Sequence, residues 1–91
     1  MKDSGWEHNY IGKFIEESDF DKYVSEDTGV LTYLYTNASE VFGRYVKILY
    51  LNKKYIAQIN GMEFVIKPEW IQENTKMEIK EAKEKLPYLF I

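Results

Sequence analysis

The sequence predicts an α+β domain, an antiparallel meander of four to five strands flanked by N- and C-terminal helical segments. Three observations carry this. Asn60-Gly61 sits between two alternating apolar runs, as a tight hairpin turn with φ > 0 at both central residues requires. A second two-residue turn fits at Asn52-Lys53 and leads to the same face assignment. The spacings Ser4-x-x-Glu7 and Thr75-x-x-Glu78 are those of capping boxes, one near each end of the chain.

Taking the elements in order, Trp6, Tyr10, Ile11, Phe14 and Ile15 recur near i, i+4 and i+8, which predicts a helix over 6–16. Gly12 weakens such a helix by ~1 kcal/mol relative to Ala. A strand from Tyr10 to Glu16 is the alternative, because YIGKFI is short, aromatic and β-branched. Ser18 before DFDKYV predicts a short helix with Phe20, Tyr23 and Val24 turned inward. After Thr28-Gly29, the run VLTYLYT from Val30 to Thr36 predicts a strand buried inside the sheet, since it is apolar on both faces. Thr36 to Ser39 forms a polar connection, and Glu40 to Gly43 leads into the centre of the chain.

That centre is Arg44 to Lys67. The turn at Asn60-Gly61 sets Ile59 opposite Met62, Ala57 opposite Phe64 and Tyr55 opposite Ile66. The turn at Asn52-Lys53 sets Tyr50 opposite Tyr55, Ile48 opposite Ala57 and Val46 opposite Ile59. One face therefore carries Val46, Ile48, Tyr50, Tyr55, Ala57, Ile59, Met62, Phe64 and Ile66, the expected core face. The other carries Leu49, Ile56 and Val65 as a row, with Tyr45 and Leu51 nearby and Lys47, Gln58, Glu63, Lys54 and Lys67 around them. An antiparallel sheet that turns one side to water is mostly polar there. A covering helix or chain end explains the apolar row, and so does a partner-binding patch with a polar rim.

Pro68 suits the first turn of a short helix, from which Trp70 and Ile71 fold back over the sheet edge. A helix from Lys76 to Leu86 places Ile79, Ala82 and Leu86 on one side, pairs Glu81 with Lys85 and ends at Pro87. A strand over Lys76 to Lys80 is the alternative. The apolar end Tyr88-Leu89-Phe90-Ile91 is expected to dock on the protein itself.

Residues 44–72, two tight hairpins followed by NGMEFVIKPEWIQ, resemble the C-terminal half of an SH3-like small β-barrel. There a distal hairpin precedes a proline-containing helical turn that carries an aromatic or aliphatic pair, the place of Pro68, Glu69, Trp70 and Ile71 here. The resemblance implies a small barrel that binds peptides, proteins or nucleic acids, and it transfers no site residue.

A chain of 91 residues is expected to form a single domain with one modest core. Residues 1–27 hold eight acids against three lysines, whereas residues 43–91 hold nine Lys or Arg against six Glu. The acidic front and mildly basic back suit attraction within the fold or two surfaces with different partners. The absence of cysteine removes disulfides, thiol nucleophiles and cysteine-based metal sites. With no run of ~18 apolar residues and no signal-like start, the expectation is a cytoplasmic protein away from membranes.

Little in the chain points to catalysis. Its one histidine, His8, lies between Glu7 and Asn9 and is expected to be solvated surface. Asp19-Phe20-Asp21 offers two carboxylates without the glycine-centred loop of a calcium site, so neither metal nor cofactor is expected. No phosphate-cradling loop or nucleophile elbow is present. The expectation is a non-enzyme, a protein-binding module in the style of a small phage or mobile-element protein that inhibits a host or defence factor. Its candidate contacts are Glu16, Glu17, Asp19, Asp21 and Tyr23 on the acidic run, with Leu49, Ile56 and Val65 on the sheet. One alternative is a nucleic-acid-binding small barrel using Tyr45, Lys47, Lys54 and Lys67, against which stand a single arginine and an acidic balance. Another is a homo-oligomeric structural subunit joined through the same apolar row or the YLFI tail.

Overall fold

In a computed structural model that describes residues 7–90, five strands form one open antiparallel sheet in the order β4-β3-β2-β1-β5. They are β1 (Tyr10–Lys13), β2 (Tyr45–Leu51), β3 (Lys54–Ile59), β4 (Met62–Ile66) and the two-residue β5 (Met77–Glu78). Three helices accompany them: α1 (Phe20–Tyr23), α2 (Val30–Asn37) and α3 (Ile79–Lys85). The capping box at Ser4 and the Trp6 position lie outside the described residues.

Both hairpins have the register that their turns dictate, with Ile56 opposite Leu49 on one side and Val65 on the other. Asn60 and Gly61 take φ of 52° and 78°, and Asn52 and Lys53 take 53° and 63°, matching the twist of the flanking strands. Tyr10, Val46, Ile48, Tyr55, Ala57, Ile59 and Ile66 are buried on the core face. Leu31, Leu34, Ala38, Phe14, Phe42, Trp70 and Ile71 join them in one cluster. Met62, expected in that core, is 47% exposed. It stands beside the hairpin turn, at the end of the outermost strand.

Three further expectations are corrected. Residues 10–13 form a strand, not part of a helix over 6–16. β1 pairs with β2 on one side and β5 on the other, so Tyr10 and Ile11 point to opposite faces and both are buried. A strand covered on both faces is apolar at consecutive positions, and its spacing then imitates a helix. Gly12 is explained by the same placement, because a Cβ there would collide with the Ile71 Cγ2 methyl.

The second correction is VLTYLYT, which forms α2 and not a strand. Asp27 decides it: its carboxylate accepts from the N–H of Leu31 at 2.8 Å, the N–H of Thr32 at 2.9 Å and the Thr32 hydroxyl at 2.8 Å. These satisfy first-turn donors that a helix otherwise leaves unpaired. Leu31, Leu34 and Ala38 then face the sheet, while Tyr33 and Tyr35 stay 43% exposed. The third correction concerns the SH3-like barrel. β4 and β5 end the sheet without meeting, so it does not close. α2 packs on the core face where a barrel would fold over, and the chain after β4 crosses back to make the Phe14–Ile71 bridge.

The remaining segments form the expected elements without the expected caps. Ser18 lies inside the Glu17–Asp19 turn. Thr75 Oγ1 donates to the Gln72 carbonyl and accepts from the Lys13 N–H, so α3 starts after Glu78 with no side-chain cap. Residues 17–26 form a short run of helical turns through α1, with Phe20, Tyr23 and Val24 half-buried. Pro68–Trp70 is a single 3-10 turn with Pro68 in its first positions and Trp70 buried. Residues 76–86 realise both readings in sequence, β5 then α3, with Lys85 Nζ 2.7 Å from Glu81 Oε2. Among the described residues, no helix is long and apolar enough to cross a membrane.

Candidate functional site

Strand alternation sends Ile11, Lys47, Leu49, Leu51, Lys54, Ile56, Gln58, Glu63 and Val65 to the sheet face opposite the core. α3 spans only about 10 Å, so it cannot cover the full width of this face. It packs on β1, where Ile11 is 1% and Ala82 0% exposed. The turn Pro87–Phe90 extends that cover, with Leu89 and Phe90 half-buried and Tyr88 60% exposed.

The apolar row runs out from beneath this cover. Leu49 and Ile56 are half-buried, Val65 is 53% exposed, and neighbouring Leu51 is 56% exposed. Among the described residues, the C-terminal helix thus covers β1 and leaves the outer part of the face, at Leu51 and Val65, open. Around the row, Gln58 Nε2 donates to Glu63 Oε2 at 3.2 Å, and Lys54 stands opposite Leu51. The result is an apolar centre with a polar rim.

A cleft of about 350 Å³ lies where the covered and open halves meet, lined by Ile11, Arg44, Tyr45, Lys47, Leu89 and Phe90 among others. Glu40 stands on its wall. Its carboxyl is held below its ordinary value by its own backbone N–H, by the Asn60 amide at 3.1 Å and by nearby Arg44. This contact ties the β3–β4 turn to the Ser39–Val41 turn.

The nucleic-acid candidates are not brought together. Lys54 lies opposite Leu51, four residues along β2 from Lys47, roughly 13 Å, and the apolar row runs between them. Lys67 is half-buried just beyond β4. The Tyr45 ring carries the Lys13 ammonium 5.8 Å from its centroid, so one face that a base would stack on is occupied.

The acidic run lies on the other side of the sheet, attached to the core layer through Phe20 and Tyr23. Glu16, Glu17 and Asp21 are exposed, and Asp19 is half-buried 3.9 Å from Lys22. Glu16 also accepts from Gln72 at 3.3 Å. Phe20 stacks on Tyr35 with centroids 4.3 Å apart, and the two form a shallow recess with Glu17, Ser18 and Asp21. Tyr35 was not readable as part of this surface, because a strand over 30–36 hides the helical spacing of Leu31, Leu34 and Ala38 that turns it outward. His8 is exposed, with Nε2 3.1 Å from Glu78 on β5. Among the described residues, no group of three His, Cys, Asp or Glu side chains gathers as a metal site.

No protein-family model, no curated protein and no solved structure matches the chain, so its fold and surfaces carry the functional argument by themselves.

Proposed function

We propose that this chain is a non-catalytic protein-binding module that docks its partner on the open half of the second sheet face. The observation that carries the reading is the row Leu49, Ile56 and Val65, left open beside Leu51 and rimmed by Lys47, Gln58, Glu63 and Lys54. Apolar centres with polar rims are the usual anatomy of protein interfaces. In this proposal the acidic run is a second contact surface suited to a basic partner, as in a small intracellular inhibitor of another protein.

The test is a tagged capture from source or host lysate, with nuclease treatment, comparing the native chain with Ile56→Lys and, separately, Leu51→Glu. A partner retained after nuclease and lost from both variants, with unchanged circular dichroism, supports the docking face. Equal retention by both variants overturns it. Loss on reversing Asp19 and Asp21 to Lys moves the contact to the acidic run, and unchanged capture removes that surface from the proposal.

A further inference from the structure

β4 ends the sheet, and its free edge is complementary to itself. The turn at Asn60-Gly61 closes on the pair Ile59–Met62, which in a two-residue hairpin is hydrogen-bonded. Alternation then directs the N–H and C=O groups of Met62, Phe64 and Ile66 toward β3, and those of Glu63 and Val65 outward. Lys67 continues that parity in extended backbone, although its C=O is already taken by the Trp70 N–H at 2.9 Å. At two-residue spacing the outward positions read acid, apolar, base: Glu63, Val65, Lys67.

We propose that a second copy of this chain adds to β4 in antiparallel register about a two-fold axis at Val65. The two Val65 residues then face each other, and each Glu63 stands opposite Lys67 of the other copy. Val65 exchanges backbone hydrogen bonds with its counterpart, and each Lys67 N–H reaches the Glu63 carbonyl across the axis. Outward-facing positions must pair with outward-facing positions, which leaves few other registers. Centred on Glu63 or on Lys67, pairing sets like charges face to face; shifted to an axis between these positions, it sets a charge against Val65. Only the register at Val65 matches both charges and leaves the apolar residue an apolar partner. Isologous contacts of this kind are how two-fold dimers form.

Charged side chains on an edge strand commonly block such pairing. Here one acid and one base, equidistant from Val65, attract an antiparallel copy instead of repelling it. The apolar row Leu49, Ile56 and Val65 becomes continuous through both copies, in one sheet. On the core face, Phe64 meets Ile66 of the second copy, beside Tyr33, whose ring is 5.6 Å from that of Phe64. The inference goes beyond the docking-face reading: it uses the β4 edge, and it lengthens that face without covering it.

Sedimentation equilibrium on the full chain, with circular dichroism as the folding control, tests it. The native chain is expected at twice the 10.9 kDa of one copy. Glu63→Lys and Lys67→Glu each turn both cross-axis contacts into like-charge pairs and are expected to weaken the dimer roughly tenfold. The double exchange E63K/K67E restores it. An equimolar mixture of the two single variants also dimerises, because each supplies the charge the other lacks at both contacts. A native chain that stays monomeric, or a dimer indifferent to both single substitutions, overturns the proposal. Monomeric mass together with partner capture lost on Ile56→Lys leaves the docking face standing without the second copy. A charge-swapped dimer with capture unaffected by Ile56→Lys and Leu51→Glu does the reverse.

Discussion

The Asp27 carboxylate holds the Leu31 N–H at 2.8 Å from two residues before the Gly29 helix start, and Leu31 is fully buried against the sheet. One side chain therefore sets both where α2 begins and which way it faces. Asp27→Ala is expected to cost about 1 kcal/mol, measured by urea unfolding. Desolvation pushes this carboxyl upward, but the N–H groups of Leu31, Thr32 and Gly29 and the Thr32 hydroxyl outweigh it and hold the carboxyl below its ordinary value of 3.8. The unfolded chain thus binds its proton first. The contribution is present above that value and is lost as pH falls toward the folded one, and Asp27→Ala should flatten this part of the acid profile.

Gly12 is the point where β1 and Ile71 meet without a side chain between them. An alanine there would press its Cβ onto the Ile71 Cγ2 methyl, with Lys76 Cγ 3.5 Å away. Ile71 is 1% exposed and bridges to Phe14, so it has little room to retreat. Gly12→Ala is expected to destabilise by about 1–3 kcal/mol in thermal or urea unfolding, despite the better intrinsic propensity of alanine.

Alkaline stability should depend on Tyr10. Burial raises its phenol well above the ordinary value of 10.0, and the nearby charges of Tyr55 and Glu73 raise it further. The unfolded chain loses this proton first, so the associated stability is complete below pH 10 and falls as pH rises beyond it. Unfolding midpoints measured across that range should decline for the native chain and decline less for Tyr10→Phe.

Nucleic-acid binding is expected to be weak and unspecific. Lys47 and Lys54 are divided by the apolar row, and Tyr45 lies under Lys13. Fluorescence anisotropy with single-stranded and duplex DNA and RNA should show no saturable binding at physiological salt. Saturable binding with a steep salt slope, reduced by Lys47→Ala and Lys54→Ala, would restore the nucleic-acid reading.

The central hairpins were legible because their information is local. Asn60-Gly61 and the alternation around it specify turn, register and face within a few residues. The existence of the apolar row follows from the same register, but its exposure does not. The row's neighbours were less legible. Whether Ile56 is covered depends on where a seven-residue helix some twenty residues later comes to rest.

By itself, then, the sequence determined the β2–β3–β4 meander, the Pro68 turn, the two faces and the residues on each. It left YIGKFI open between helix and strand and misread VLTYLYT as a strand, because aromatic and β-branched residues suit a buried strand and a packed helix equally well. Only the tertiary structure decided those two. Asp27 paired the first donors of α2, and a site between β2 and β5 gave residues 10–13 hydrogen-bond partners on both sides. It also decided that the sheet stays open and which half of its second face remains bare. Such outcomes depend on how far α2 and α3 reach across the sheet, which is a property of the assembled layers and of no local stretch.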